Sequence, residues 1–312
     1  MSRPRHFMEI DDLSPDEIER VLDLSVAPDR PPLLAGRTVG LVFEKPSLRT
    51  RNAMEVAVSQ LGGHPVTMQG AEVGIGVREP ATDIALVLAR FHALVGVRVN
   101  EDAAVRAMAT VSSVPVVNLL SDRAHPCQAL ADLLTLRNVW GKFKGRSVAW
   151  VGDGNNVCRS LALGAAALGV HVRIASPGGY GLDAADLDRI RRFGAGVDTF
   201  DNPAGAVEGA DAVCTDVWSS MGHEAEAGVR RMAFTGWTID SRLMSRAAPN
   251  APFLHCLPAH RGEEVTSDVI DGPRSAAWNQ AENRLHTARG LLLFLLDTTG
   301  RTSALGQPPV HA

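Results

Sequence analysis

"RTVGLVFEKPSLRTRNAMEVA", residues 37 to 57, decides how the chain is read. The apolar run ending at Phe43 suits a buried strand, Pro46 interrupts it, and the segment from Leu48 to Leu61 has the spacing of a helix. A connection that only reversed the chain would favour Gly, Asn and Asp. This one crowds Ser47, Arg49, Thr50 and Arg51 together. Free N–H groups, two hydroxyls and a guanidinium at a helix N-terminus form an anion site suited to phosphate. The plain alternative is a capped helix with solvated arginines.

Strand and helix alternate along the rest of the chain. Ser14-Pro15-Asp16-Glu17 has the pattern of a capped helix start, with Pro15 at the first helical position. A loop and helix over 76–91 lead to a strand over 93–99, a further helix and a short strand over 114–119. "GKFKGRS" (141–147) carries two glycines and three cations between apolar segments, and there the domain boundary is expected. Beyond it come strand "SVAWVGD", a helix over about 157–168, strand "VHVRIASP" and helix "LDAADLDRIRRFG". Strands over 211–218 and 252–258 follow, then a helix from Glu282 to about Asp297. The expected fold is α/β, two doubly wound domains with mainly parallel sheets. The expected domains are 1–140, joined by the terminal helix 282–297, and 146–275.

Composition excludes several classes of function. The formal net charge of the 312 residues is −4, which offers no bulk attraction to nucleic acid or to an anionic membrane. Any anion site must be local. The N-terminus lacks the apolar core of a signal peptide, and no apolar run approaches the roughly 20 residues that span a bilayer. The four cysteines are widely spaced with no C-x-x-C pair, as expected of free thiols in a reducing cytoplasm.

Ligands of parallel sheets gather at the carboxyl ends of the strands. There lie Ser47 to Thr50, Arg98, His125 to Gln128, Asp153 to Asn156, Asp216 to Met221, and His255 to Pro258. "GDGNNV" (152–157) suggests a dinucleotide site, but Val157 stands where the third glycine is needed. The next strand ends in Ser176-Pro177, where a ribose-binding acid is expected. Asn155 and Asn156 could be helix caps or amides offered to a polar substrate. His125, Cys127, His255, Cys256 and His260 lack common zinc spacing, and adjacent strand residues such as His255 and Cys256 should point to opposite faces. No metal and no cofactor are therefore expected.

Four motifs in order, F-x-K-x-S-x-R-T-R, H-P-C-Q, D-x-x-x-S-M-G and H-C-L-P, resemble those of the ornithine carbamoyltransferases, from about Met8 to about Leu296. The first two are shared with aspartate carbamoyltransferases and identify carbamoyl phosphate binding only; "DVWSSMG" and "HCLP" are much more specific to the ornithine branch. The resemblance implies transfer of a carbamoyl group from carbamoyl phosphate to the side-chain amine of L-ornithine, giving citrulline and phosphate. It implies a terminal helix packing back on the first domain, and a homotrimer, or an assembly of trimers, with active sites at subunit boundaries.

Carried over, Ser47, Leu48, Arg49, Thr50, Arg98, His125, Gln128 and Arg284 surround carbamoyl phosphate, with Gln69 reaching it from a neighbouring subunit. Asn156, Asp216, Ser220 and Met221 would hold ornithine, with Cys256 and Leu257 between the substrates. Arg98, His125, Asp216 and Cys256 would act in catalysis. Leu48 departs from the family's usual Thr and offers only its N–H. Pro80, Ile84 and Leu86 depart from its usual Ser, Thr and Arg. The competing readings are a carbamoyltransferase for N-acetylornithine or putrescine, and an NAD-binding dehydrogenase.

Overall fold

The computed structural model describes residues 4–219 and 226–297. The chain divides into two compact units, one running to Ala131 and resuming at Asn283, the other Asp132–Glu282.

The first unit opens with a short 3-10 turn (Ile10–Asp12) and helix α1 (Pro15–Val26). There Ser14 Oγ accepts from the Glu17 N–H and Glu17 accepts in return from the Ser14 N–H. Next come β1 (Thr38–Phe43), α2 (Leu48–Gln60), β2 (His64–Gln69), α3 (Gly70–Val73) and α4 (Ala81–Phe91). They are followed by β3 (Val95–Arg98), α5 (Asp102–Val111), β4 (Val116–Leu120) and the first turns of α6 (Pro126–Trp140). The sheet order is β2-β1-β3-β4 and every pairing is parallel. Because helices cover both faces of such a sheet, its interior strands are almost continuously buried, as β1 and β3 are. Val42, Val95 and Val97 pack there against Ile84 and Leu88 of α4 and Val105 and Met108 of α5.

The second unit continues through β5 (Ser147–Val151), α7 (Asn156–Ala167), β6 (His171–Ala175), α8 (Ala184–Arg191) and β7 (Val197–Phe200). Then come α9 (Pro203–Val207), β8 (Ala212–Thr215), α10 (Ala227–Ala233), α11 (Ser241–Met244), β9 (Phe253–His255) and α12 (Ser267–Ile270). Its sheet is again wholly parallel, ordered β7-β6-β5-β8-β9. Phe234, Trp237 and Phe253 centre a core that includes Val151, Val213 and Ile239.

The last helix, α13 (Ala277–Leu296), begins five residues before the expected Glu282. From Asn283 on it belongs to the first unit, where the Arg289 guanidinium donates to the Ser25 carbonyl at 2.6 Å and to Gln60 at 2.9 Å. Gly290 permits this packing, because a Cβ there would lie 2.6 Å from the Val21 carbonyl oxygen of α1. Two strands, β2 and β7, were not expected from the sequence. Both are sheet edges, and both are largely half-buried or exposed.

Candidate active site

Each sheet reverses its order of winding once, between β1 and β3 in the first unit and between β5 and β8 in the second. Crevices at the carboxyl ends of strands form at such points. Among the expected site residues, Ser47 and Arg98 lie beside the first and Asn156 and Asp216 beside the second.

In the first unit, the 44–47 turn leaves β1 and α2 begins at Leu48, with Ser47 as its N-cap. Ser47 Oγ accepts from the Thr50 N–H at 3.2 Å. The remaining first-turn N–H groups have no partner within the helix, a property of every helix start. Arg98 ends β3, in register with Phe43 of β1. Arg284 of α13 donates to Thr50 Oγ1 and to Gln128 Oε1, both at 2.6 Å, and Arg98 approaches the same hydroxyl at 3.4 Å. Thr50, Arg98, His125, Gln128 and Arg284 are all buried. Three guanidiniums and one imidazole thus gather at a helix N-terminus. Burial pushes the His125 pKa well below its ordinary value, and Arg284, Arg98 and Arg49 add to the effect by repelling a further positive charge. His125 is therefore a neutral imidazole at physiological pH. Burial also pushes the neighbouring Cys127 thiol up to about 12.

Leu48 occupies the first position of α2 and is 74% exposed, so its side chain adds no polar group. Gln69 ends β2 and is exposed; its N–H donates to Glu72 at 2.9 Å as part of a cap on α3. Pro80 precedes α4 without a side-chain cap, Ile84 is buried and Leu86 is exposed.

In the second unit, Asp216 follows β8 and is buried. Its Oδ1 accepts from the Val217 N–H at 2.8 Å and from the Cys256 thiol at 2.9 Å; Oδ2 accepts from Asn155 Nδ2 at 2.8 Å. Three donors compensate a carboxylate withdrawn from water. Asn155 is the cap of α7, accepting from the Val157 and Cys158 N–H groups. Asn156 opens the helix, and its carbonyl accepts from Ser160. Asn155 thus caps the helix through Oδ1 and reaches Asp216 through Nδ2. Asn155 is the cap that its place before a helical run suggests, and its bond to Asp216, 61 residues away, is what the sequence does not show. Ser220 and Met221 lie outside the described residues.

The dinucleotide reading fails on geometry. The Gly154 N–H donates to the Tyr180 carbonyl at 2.7 Å, and a Cβ at Gly154 would lie 2.6 Å from the carbonyl carbon of Gly181. The chain's own 180–182 backbone fills the close approach that a pyrophosphate would need. A cavity of about 390 Å³ lies near the ends of β6 and β7, lined by Ile174, Pro177 and Phe200, and none of the expected site residues lines it.

The expected divergence of His255 and Cys256 is corrected by the structure. β9 ends at His255, so strand alternation does not govern Cys256, and donor atoms of Asp216, His255 and Cys256 lie within 4.8 Å of one another. All three are already engaged: the thiol with Asp216, and the two ring nitrogens of His255 with the Leu257 N–H and Glu264. A metal ion would have to displace those bonds. His260, Glu263 and Glu264 form a second such group among the described residues.

Comparison with known proteins matches each half of the chain to a described domain. Residues 5–138 match the family described as aspartate/ornithine carbamoyltransferase, carbamoyl-P binding domain, and residues 144–295 match its Asp/Orn binding domain. The ornithine carbamoyltransferase of Acidothermus cellulolyticus is 48% identical over 305 residues, covering 95% of this chain and 98% of that protein. The crystal structure of ornithine carbamoyltransferase from Thermus thermophilus, 45% identical, superposes with a TM-score of 0.87 over 95% of this chain and 100% of the other. The Pyrococcus furiosus ornithine carbamoyltransferase, 39% identical, gives 0.90 over 95% and 98%. An N-acetyl-L-ornithine transcarbamylase structure is 28% identical, with a TM-score of 0.83 over 93% and 99%. The chain belongs to the aspartate/ornithine carbamoyltransferase family.

Proposed function

We propose that the chain is an ornithine carbamoyltransferase, moving the carbamoyl group of carbamoyl phosphate to the δ-amine of L-ornithine. The observation that carries the reading is the buried Thr50 hydroxyl, shared by Arg98 and Arg284 at the N-terminus of α2. It supports a site for a doubly charged phosphoryl group. Arg49 and Arg284 present planar forks to the phosphate oxygens, and Ser47, Leu48 and Gln128 add donors. Gln69 reaches the ligand from a neighbouring subunit. Asn156, Asp216, Ser220 and Met221 take ornithine, and Cys256 and Leu257 meet the carbamoyl group as the amine attacks it.

In the reaction the amine nitrogen forms a bond to the carbamoyl carbon and the carbon–oxygen bond to phosphate breaks. Negative charge grows first on the carbonyl oxygen, towards which Thr50, Arg98 and neutral His125 donate, and then on the leaving phosphate. A donor aimed at such an oxyanion is worth about 3 kcal/mol, on the order of 100-fold in rate. The amine must be neutral to attack, although a lysine-like amine has a pKa near 10.4. Its proton ends on the departing phosphate, so no further base is required.

An aspartate carbamoyltransferase would need cations for a dicarboxylate, whereas the second unit offers the carboxylate of Asp216. The homotrimer that the family resemblance implies would be tested by light scattering; exposed Leu86, Val87 and Phe91 on α4 are apolar surface that such an assembly could cover. Among the described residues no helix is long and apolar enough to cross a membrane, and the four cysteines are free thiols. We read the enzyme as cytoplasmic and as part of arginine metabolism. A citrulline assay with carbamoyl phosphate and, in turn, ornithine, N-acetylornithine and putrescine tests the function. Turnover should be confined to ornithine, and turnover with either rival in its place would overturn the reading.

A further inference from the structure

We infer that His255 and Glu264 are a positioning pair that holds the Cys256–Pro258 turn in shape through the tautomer of the imidazole. The inference rests on the proposed carbamoyl transfer to ornithine. Both side chains are wholly excluded from solvent. His255 Nδ1 accepts the Leu257 N–H at 2.9 Å, so that nitrogen carries no proton. The ring proton is then on Nε2, 3.1 Å from Glu264 Oε1, which accepts it. The same oxygen accepts the His260 N–H at 2.6 Å. One carboxylate thereby selects the tautomer and ties down the far side of the turn.

The turn needs such support. Leu257 has φ of 59°, the only residue other than glycine with a positive φ among the described residues. The left-handed region is disfavoured for a side chain bearing a Cβ, and it persists only where surrounding bonds impose it. The Leu257 N–H bond to Nδ1 is one of those bonds. The His255 N–H is held in turn by Gln280 Oε1 at 2.8 Å, and Gln280 donates to Asp132 at 2.6 Å. What the turn presents is the Cys256 thiol, 2.9 Å from the carboxylate of Asp216. Among the described contacts, neither His255 nor Glu264 bonds to Asp216 or Cys256 side chains. The pair acts through the backbone, as supporting residues of a preorganised site do.

The two ring nitrogens can be replaced separately. In His255→Asn the amide oxygen stands near the place of Nδ1 and can still accept the Leu257 N–H, but it does not reach Glu264. In His255→Gln the amide reaches towards Glu264 and leaves the Leu257 N–H without its acceptor. We expect the Asn variant to lose no more than about 10-fold in kcat with ornithine and the Gln variant about 100-fold or more. A role limited to satisfying buried Glu264 predicts the reverse order. Glu264 gives an independent arm should the histidine variants not fold. Glu264→Gln keeps an accepting oxygen and should stay within about threefold of wild-type kcat, whereas Glu264→Met should lose about 30-fold with the KM for carbamoyl phosphate unchanged. A His255→Gln enzyme as active as the His255→Asn enzyme, or a folded Glu264→Met enzyme with wild-type kcat, would overturn the inference. A wild type that makes no citrulline from ornithine would sink the proposed reaction and the inference with it.

Discussion

The two sheets of this protein reverse their winding in the same way and place polar groups at the same kind of crevice, yet the two crevices carry opposite charge. In the first unit Arg98 and Arg284 converge on one threonine hydroxyl beside Arg49 and a neutral imidazole. In the second, a buried aspartate is held by an amide, a backbone N–H and a thiol. Parallel topology decides where a small ligand can sit. The residues on the loops decide whether it is an anion or an amine.

The strongest test of this contrast removes the negative charge. Asp216→Asn preserves shape, so ornithine affinity and turnover should fall together, by about 100-fold for a lost charge-assisted bond of about 3 kcal/mol. Carbamoyl phosphate affinity, measured by calorimetry, should stay at the wild-type value. Because a carboxylate at the amine favours its charged form, wild-type turnover should rise with pH through the neutral to mildly alkaline range. Full activity of the Asn variant with ornithine would mean that the amine is held elsewhere.

The converse test is Arg49→Ala. Loss of one charge-assisted pair, about 1.5–3 kcal/mol, should weaken carbamoyl phosphate about 10- to 100-fold and leave ornithine affinity intact. If kinetics are unchanged, the Ser47–Thr50 turn is only a helix cap.

His125 links the arginine cluster to stability. Its folded pKa lies well below the unfolded value of 6.5, so the unfolded chain binds the proton more readily. The stability contributed by the neutral ring is complete above that pH and is lost as the pH falls below it. Urea midpoints should decline on acidification from neutral pH, and less steeply in His125→Gln. Parallel slopes for the two proteins would refute the effect.

The smallest effect is expected at Leu48, where the exposed side chain offers no polar group. Leu48→Thr should fold normally and change kcat/KM only severalfold. A loss beyond about 100-fold, equivalent to roughly 2.7 kcal/mol, would show that the leucine packs against something the motif does not reveal.

Much of the fold was legible because interior parallel strands are buried on both faces and read as apolar runs. β2 and β7 escaped notice for the same physical reason. As edge strands they retain exposed polar positions, and β2 contains Pro65, which an edge tolerates because it need not donate to a further strand. The early start of α13 was missed because the helix changes units along its length, so no single apolar stripe marks it.

The sequence alone determined the strand–helix alternation, the polar turn after β1 and the placing of Ser47–Thr50, Arg98 and Asp216 at strand ends. These are properties of local pattern and residue type. Tertiary structure decided which distant groups share an atom. Arg284 reaches Thr50 across 234 residues of chain, Asn155 reaches Asp216 across 61, and Glu264 sets the ring of His255. Hydrogen bonds act over about 3 Å, and only the folded backbone brings residues so far apart along the chain within that range.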